Sequence, residues 1–227
     1  MGLNVIMMGP PGAGKGTQAG RFARERGLLQ ISTGDILREA IKERNQVALE
    51  AKARMDRGEL VDDETMIAIV CDRLVRPDAS VGFVLDGFPR TVAQAMALDR
   101  IMEERASGPL VVVDVMVPEE ELVRRLAGRM ICSKCGANAG PGAGAGACAK
   151  CGGAMEQRAD DEKDVVRERL KVYQRDTRPV LEYYRERPTF RVVNGAQEPA
   201  RVAHELDAMI ADAAAAGAAV RAERQAT

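Results

Sequence analysis

A glycine-rich turn between an apolar run and a helical pattern limits the folds open to this chain more than any other feature. The turn is Gly9–Thr17, with the sequence GPPGAGKGT, and it directly follows the apolar run Leu3–Met8. Glycines let backbone N–H groups wrap around phosphate oxygens, and the positive end of a helix dipole favours an anion. Lys15 stands at the spacing from which an ammonium group reaches the outer phosphates. The sequence therefore predicts a P-loop that binds a nucleoside triphosphate.

Short apolar runs alternate with longer helical patterns along the chain, as in α/β folds with a parallel sheet. The runs are apolar nearly throughout, which is typical of strands covered on both faces. We predict a doubly wound, five-stranded parallel sheet with helices on both faces. The predicted strands are Leu3–Met8, Leu28–Ile31, Gly82–Leu85, Leu110–Val117 and Phe190–Val193. The predicted helices are 17–26, 34–43, 48–57, 63–75, 92–104, 118–127, 161–187 with an interruption at Pro179, and 199–212.

Two segments break this alternation, and we predict that each forms a small lobe. Residues 32–61 hold two short helices where a single crossover would suffice, and residues 128–161 hold four cysteines in a Gly/Ala-rich stretch without periodicity. The core is then formed by residues 1–31, 62–127 and 162–215. The alanine-rich tail, residues 216–227, is expected to fray.

The four cysteines of residues 128–161 form two CxxC pairs. They are Cys132 with Cys135 and Cys148 with Cys151, separated by twelve residues. Thiolates at this spacing can surround one tetrahedral Zn²⁺. Two disulfides or four free thiols are the alternatives, and both fit a cytosolic chain less well than a structural zinc site.

The overall charge excludes some classes of partner. The chain has 33 basic and 34 acidic residues, a formal net charge of −1, so no net field attracts it to nucleic acid or an acidic membrane. No apolar stretch approaches the ~18 to 20 residues of a membrane span, and residues 1–6 lack the charged start of a secretory signal. We therefore expect a cytoplasmic protein with no nucleic-acid or membrane partner.

Four groups of residues resemble the signatures of the adenylate kinases. They are Gly12–Thr17, Ser32–Asp35 with Arg38, Asp86–Arg90 with Gln94, and Gly128-Arg129. The resemblance covers about residues 3–210, and it implies the Mg²⁺-dependent reaction ATP + AMP ⇌ 2 ADP, which serves adenine nucleotide homeostasis. It also implies that residues 32–61 are the AMP-binding lobe and residues 128–161 a zinc-bearing lid over ATP. We expect such a protein to be a monomer.

The resemblance further implies roles for individual residues. Those around the transferring phosphoryl group are Lys15, Asp86, Arg90, Arg125, Arg129, Arg158 and Arg169. The ATP contacts are Gly12, Ala13, Gly14, Lys15, Gly16, Thr17, Arg129, Asn138, Ala139 and Gln197. The AMP contacts are Thr33, Arg38, Glu59, Leu60, Val61, Gly87, Phe88, Pro89, Arg90, Gln94, Arg158 and Arg169.

Two positions depart from the expected patterns. Most P-loops carry Ser or Thr directly after the lysine, whereas here Gly16 intervenes and the hydroxyl belongs to Thr17. In the lid, Asn138-Ala139 stands where zinc-lid relatives usually carry a Thr-Tyr pair. We expect a weaker or more mobile contact between the lid and ATP, but not loss of the reaction.

Three other functions remain to be weighed. A kinase for another nucleoside monophosphate would share the fold and differ mainly at Thr33 and Gln94. A P-loop GTPase would need an Asn-Lys-x-Asp run, which the sequence lacks. A zinc ribbon that binds nucleic acid would need aromatic or basic residues between its cysteine pairs, and residues 136–147 contain neither.

Overall fold

The computed structural model describes residues 2–42, 46–105, 108–139 and 146–225. Residues 1, 43–45, 106–107, 140–145 and 226–227, which fall within the predicted core, AMP-binding lobe, lid and tail, lie outside the described ranges. The main sheet has five parallel strands in the order β2-β3-β1-β4-β7. These strands are β1 (Leu3–Met8), β2 (Leu29–Ser32), β3 (Gly82–Asp86), β4 (Leu110–Met116) and β7 (Phe190–Asn194). The predicted doubly wound α/β sheet is confirmed.

Nine α-helices occur in the described ranges. They are α1 (Lys15–Arg26), α2 (Thr33–Lys42), α3 (Gln46–Asp56), α4 (Asp63–Leu74), α5 (Val92–Glu104), α6 (Glu119–Ala127), α7 (Lys163–Val172), α8 (Arg178–Arg185) and α9 (Pro199–Gln225). Short 3₁₀ turns span Pro77–Ala79 and Ala159–Asp161. None of the helices in the described part of the chain is both long and apolar enough to cross a membrane.

The sheet separates two apolar cores because successive side chains of a strand point to opposite faces. In β1, Val5 and Met7 pack in one core with residues of α1, α6, α7 and α9. Ile6 and Met8 pack in the other core with residues of α4, α5 and α8. Both faces of the sheet are therefore covered by apolar side chains. In open α/β sheets, ligands bind at the loops that follow the carboxyl ends of the strands.

The residues predicted as one helix over 161–187 form α7 and α8 with a π-helical turn, Tyr173–Thr177, between them. The predicted interruption at Pro179 is wrong by a few residues, since Pro179 lies in the first turn of α8. A proline ring crowds the carbonyl four residues before it, here that of Arg175, so the irregularity falls upstream of the proline. Within the turn, Thr177 Oγ donates to the carbonyl of Arg90 at 3.0 Å.

The last helix extends well past its predicted end at Asp212, and the described residues of the predicted frayed tail, 216–225, are helical. Ala213 is fully buried in the core. A Cβ on Gly217 would lie 2.6 Å from Cβ of Pro109 and 2.7 Å from Cγ2 of Thr189, so glycine allows a close approach of this helix to the segments before β4 and β7. Tertiary packing therefore holds a segment whose composition alone gives little helical signal.

A buried acid lies within β4. Asp114 is only 6% exposed, and its Oδ1 has no hydrogen-bond partner among the described residues. Desolvation raises the pKa of Asp114 from 3.8 to about 6, although Lys15 and Arg185 oppose the shift. A carboxyl group whose pKa is raised by folding stabilises the folded state below its unfolded pKa. That contribution is lost as the pH rises through the folded pKa.

We expect Asp114→Asn to stabilise the protein at pH 7 by up to about 3 kcal/mol, because a shift of about two pKa units corresponds to that free energy. The gain should be small at pH 4 and grow up to pH 7. Urea unfolding of both proteins at pH 4, 5, 6, 7 and 8 measures the difference. A change in packing alone would shift the free energy of unfolding equally at every pH, so a difference that does not grow from pH 4 to pH 7 would contradict the prediction.

Candidate active site

The predicted P-loop joins the carboxyl end of β1 to the N-terminus of α1. Gly9 has φ of 131°, and a Cβ there would lie 2.5 Å from the carbonyl oxygen of Val115, so only glycine fits. Gly14 is the N-cap of α1 in the left-handed region, and no side chain caps the helix. The first turn of α1 contains no acidic residue. The N–H groups at this helix end are therefore left for an external anion.

Lys15 and Asp86 bring opposite charges to this loop. Lys15 Nζ donates to the carbonyl of Pro10 at 2.8 Å. Desolvation lowers the pKa of Lys15 to about 8, against the attraction of Asp86. Asp86 ends β3, and desolvation raises its pKa against the attraction of Lys15 and Arg90. A Cβ on Gly16 would lie 2.8 Å from Asp86 Oδ2, which explains why this P-loop has glycine directly after the lysine.

A cleft lies between the lobe formed by α2 and α3 and the loop that follows β3. It is lined by Thr33, Gly34, Leu37, Arg38, Met55, Gly58, Glu59, Leu60, Val61, Met66, Gly87, Arg90, Gln94, Arg158, Asp160 and Arg169. Ten of the twelve residues expected to contact AMP are in this lining. The other two, Phe88 and Pro89, are buried, and Phe88 packs in the core beneath the loop.

One end of the cleft combines apolar side chains with two buried polar ones. Thr33 is 1% exposed, and its Oγ donates to the carbonyl of Gly87 at 3.0 Å. Gln94 is also 1% exposed and lines the cleft. The apolar side chains of Leu37 and Met66 line the same cleft. This end suits a planar, partly polar ring.

The other end of the cleft leads to a cluster of arginines paired with two aspartates. Arg158 donates two hydrogen bonds to Asp160 at 2.8 and 2.7 Å. Arg129 donates two to Asp161 at 2.6 and 2.5 Å, and Asp161 is buried. Arg169 Nη1 donates to the Asp160 carbonyl at 2.8 Å and to Asp161 Oδ1 at 3.1 Å. The two aspartates thus gather three guanidinium groups.

The pKa values within this cluster follow from desolvation and charge. Desolvation lowers the pKa of Arg169 to about 10. For Asp160, desolvation acts to raise the pKa, but the attraction of Arg169 and Arg158 prevails and lowers it. Charges that are close together and poorly solvated interact strongly. The cluster is therefore well suited to bind phosphate groups in place of its internal partners.

The remaining predicted arginines are Arg38, Arg90 and Arg125, and only the first two line the cleft. Arg90 Nε donates to the carbonyl of Gly87 at 2.8 Å, and desolvation lowers the pKa of Arg90. Arg38 forms an ion pair with Asp35 on α2. Arg125 lies on α6, where its Nε donates to Glu121 at 2.7 Å. The structure thus brings Arg90, Arg158 and Arg169 together at the cleft, with Arg125 held by its own helix.

The four lid cysteines form one cluster of free thiols. All four sulfur atoms lie within 4.8 Å of one another, with 3.4 Å between Cys132 and Cys151 and 3.7 Å between Cys135 and Cys148. A disulfide would bring two sulfurs to about 2.05 Å, whereas the edge of a zinc–thiolate tetrahedron is about 3.8 Å. The backbone N–H of Cys135 lowers the pKa of Cys132 to about 6, which favours a thiolate. The donor set therefore fits one tetrahedral metal ion.

The lid also contains a hairpin that the sequence analysis missed. Strands β5 (Met130–Cys132) and β6 (Met155–Gln157) pair antiparallel. Asn138 is exposed and bridges to Ile131, and the Ala139 N–H donates to the carbonyl of Met130 at 2.8 Å. In the core, Gln197 Nε2 donates to Glu205 at 2.7 Å. Gly195 lies two residues before Gln197, and a Cβ there would be 3.3 Å from the carbonyl oxygen of Ala13 in the P-loop. Of these three expected ATP contacts, only Gln197 is in a loop that reaches the P-loop.

The sequence did not identify Asp63 as a partner of the cleft residue Gln94. Asp62 and Asp63 stand at the predicted start of the helix over 63–75, and Asp62 accepts from the Thr65 N–H as the N-cap of α4. Asp63 instead hydrogen-bonds Gln94 and Thr91. In the sequence, the only sign of the contact between Asp63 and Gln94 was that Asp63 directly follows the N-cap residue Asp62.

Comparison with known proteins agrees with this geometry. The model of the adenylate kinase family matches residues 7–189. An adenylate kinase of Archaeoglobus fulgidus is 46% identical over 212 residues, covering 92% of this chain and 98% of that protein. One of Desulfitobacterium hafniense is 46% identical over 212 residues, covering 91% and 98%, and one of a Geobacillus species is 47% identical over 204 residues, covering 88% and 94%. The chain therefore belongs to the adenylate kinase family and is a nucleoside monophosphate kinase, a phosphotransferase.

Proposed function

We propose that this protein transfers a phosphoryl group from Mg²⁺-bound ATP to AMP, reversibly, giving two ADP. One observation supports this most directly. Arg90 and Arg169 line the cleft proposed for AMP, and the same two guanidinium groups act on the pKa of Lys15 in the P-loop. Two phosphate-binding sites therefore lie close enough to share one group of cations, as transfer between two nucleotides requires.

The P-loop is proposed to hold ATP. The backbone of Gly12–Thr17 would bind the phosphates at the N-terminus of α1, with Lys15 at the outer phosphates. Arg129 would contact ATP from the lid, and Asn138, Ala139 and Gln197 are proposed as weaker contacts with the nucleoside.

The cleft is proposed to hold AMP. Thr33, Gln94 and the backbone of Glu59–Val61 would contact adenine. At the phosphate end, the proposed ligands are Arg38, Arg90, Arg158 and Arg169, with Gly87, Phe88 and Pro89 shaping the loop that presents Arg90.

The proposed chemistry needs no general base. The second pKa of a phosphate monoester is about 6, so the attacking oxygen of AMP is already ionised near pH 7. In-line transfer then depends on position and on stabilisation of the negative charge that spreads over the transferring group. Lys15, Arg90, Arg129, Arg158 and Arg169 are proposed to supply this stabilisation, and Arg125 is proposed to join them when the lid closes.

Two metals are proposed, with different roles. Mg²⁺ prefers oxygen ligands and keeps several waters, so Asp86 beside the P-loop, directly or through water, would help to hold it with the ATP phosphates. Bound there, Mg²⁺ would neutralise phosphate charge. Zn²⁺ would be held by Cys132, Cys135, Cys148 and Cys151, which leave no coordination site open for chemistry, so its role would be structural.

Domain movement and cellular role belong to the same proposal. We propose a core of residues 1–31, 62–127 and 162–215, an AMP-binding lobe of residues 32–61, and a lid of residues 128–161 that closes over ATP and excludes water. The protein would act as a cytoplasmic monomer that balances ATP, ADP and AMP. The similarity to adenylate kinases over most of the chain supports this role.

The test is ADP formation by the purified protein with ATP and Mg²⁺ and, separately, AMP, GMP, CMP and UMP. We expect rapid turnover with AMP and much slower turnover with the others, because Thr33 and Gln94 lie at the base end of the cleft. Omission of Mg²⁺ should abolish turnover. Faster turnover with another monophosphate would assign the protein to a different acceptor, and no turnover with any of the four would refute the proposal.

A further inference from the structure

The side-chain amide of Gln94 is held at both of its ends. Its Oε1 accepts a hydrogen bond from the backbone N–H of Arg90 at 2.7 Å. Its Nε2 donates to Asp63 Oδ1 at 2.8 Å. Gln94 is 1% exposed, so water does not compete freely for these bonds.

These two partners define which way the amide faces. A backbone N–H can only donate, and an ionised carboxylate can only accept. Rotating the Gln94 amide by 180° would place its NH₂ against the Arg90 N–H and its oxygen against the Asp63 carboxylate. Both hydrogen bonds would be lost, and one of them involves a charged group.

Asp63 is itself held in place. Its Oδ2 accepts from the hydroxyl of Thr91 at 2.9 Å, while its Oδ1 accepts from Gln94. Thr91 Oγ in turn accepts from the backbone N–H of Gln94 as the N-cap of α5. The carboxylate therefore connects the start of α4 to the start of α5 and cannot turn away without losing both partners.

We propose that Asp63 is a specificity-determining positioning residue, which acts by holding the Gln94 amide in one orientation. The proposal rests on the proposed function, in which AMP occupies the cleft. An amide has two N–H groups and two oxygen lone pairs, so one of each remains for a nucleobase. Adenine presents a donor at its 6-amino group beside an acceptor at N1. Hypoxanthine presents the reverse order, an acceptor at its 6-oxo group beside a donor at N1. A fixed amide complements only one order, whereas a free amide rotates to suit either.

The test compares AMP with inosine 5′-monophosphate, which differs from AMP only at this edge of the base. The readout is the ratio of kcat/KM for the two acceptors at saturating ATP and Mg²⁺. We expect Asp63→Ala to lower this ratio about 10- to 100-fold, the range corresponding to one hydrogen bond to a charged group. Asp63→Asn should keep most of the ratio, because its carbonyl oxygen can still accept from Gln94.

Asp62→Ala is the matched control, because alanine removes the N-cap of α4 whereas asparagine would keep it. Asp62 precedes Asp63 and caps α4, but the described hydrogen bonds of its side chain go to Thr65 and not to Gln94. A general loosening of the start of α4 would lower the ratio in Asp62→Ala as well, and that outcome would overturn the proposal. Thermal melting of each variant identifies any that fails to fold.

A double variant distinguishes action of Asp63 through Gln94 from direct contact between Asp63 and the nucleotide. In a Gln94→Ala protein, adding Asp63→Ala should leave the ratio unchanged, since the group that Asp63 orients is gone. A further fall in the ratio would refute action through Gln94. An unchanged ratio in Asp63→Ala with Gln94 present would also refute the proposal. Wild-type protein that fails to phosphorylate AMP would instead refute the proposed function, so the two failures are distinguishable.

Discussion

Lys15→Met is expected to lower kcat by on the order of a thousandfold, the effect of removing one preorganised charge at a transition state. Methionine keeps the length of the side chain and removes its charge. Lys15 lies where desolvation lowers its pKa to about 8, so its charge is poorly screened by water. The measurement is steady-state ADP formation with AMP as acceptor, with KM for both substrates determined in parallel.

Lys171→Met is the control for this experiment. Lys171 has a 75% exposed side chain and pairs only with Glu168 on the surface of α7 among the described residues. It should retain nearly full activity, because exposed ion pairs contribute little. A Lys15→Met protein with more than about a tenth of wild-type kcat would show that Lys15 does not stabilise the transferring group.

Removal of the proposed zinc site is expected to unfold the lid while the core stays folded. The lid strands β5 and β6 have three residues each, and within the described part of residues 128–158 only Cys132 and Cys148 are buried apolar residues. Binding of structural zinc supplies about 10 to 16 kcal/mol in small zinc domains, far more than this lid can gain from burial. The double variant Cys135→Ser/Cys148→Ser should contain no zinc, and trypsin should cleave it rapidly at the exposed Lys134 and Lys150.

Cys71→Ser is the matched control for the thiol substitutions, since Cys71 lies on α4 outside the sulfur cluster. It should keep one zinc per chain and resist trypsin like the wild type. Elemental analysis and limited proteolysis give both readouts. A metal-free double variant whose lid resists trypsin would contradict a structural role for the metal.

The features of the core that the sequence predicted well depend on local signals. The run of apolar residues in β4, one leucine, four valines and one methionine, is broken only by Asp114, because this strand is buried on both faces. Gly9, Gly12 and Gly14 of the P-loop are recognisable because their positive φ angles disfavour other residues. In both cases a short stretch of sequence contains the whole physical cause of the structure.

The missed elements depend on distant partners. Strands β5 and β6 are too short and too exposed to show an alternating pattern, and four sulfurs from separate turns bring them together. The extended end of α9 is stabilised by the contact of Gly217 with Pro109 and Thr189, and a glycine in a helix is normally a negative signal. A sequence pattern is recognised within a short segment of the chain. These contacts join residues that are far apart in the sequence, so no local pattern indicates them.

The candidate site shows the same division between local motifs and tertiary contacts. Thr33, Arg90 and Gln94 fall within motifs, and the structure places all three on one cleft. Asp63 lies 31 residues before Gln94, and its carboxylate was indistinguishable in sequence from a second helix-capping group. The orientation of the Gln94 amide is a property of the folded network and is absent from the sequence pattern.

The π-helical turn at Tyr173–Thr177 has a consequence for chain length in this family. A π turn closes its hydrogen bond over one residue more than an α turn, so it absorbs an extra residue without rotating the helix that follows. Val180 and Tyr184, both fully buried on α8, would keep their places if that residue were deleted. Thr177 would lose the wide turn that aims its hydroxyl at the carbonyl of Arg90. A one-residue deletion here is therefore expected to keep the packing of α8 while it removes the hydrogen bond from Thr177 to the loop that presents Arg90.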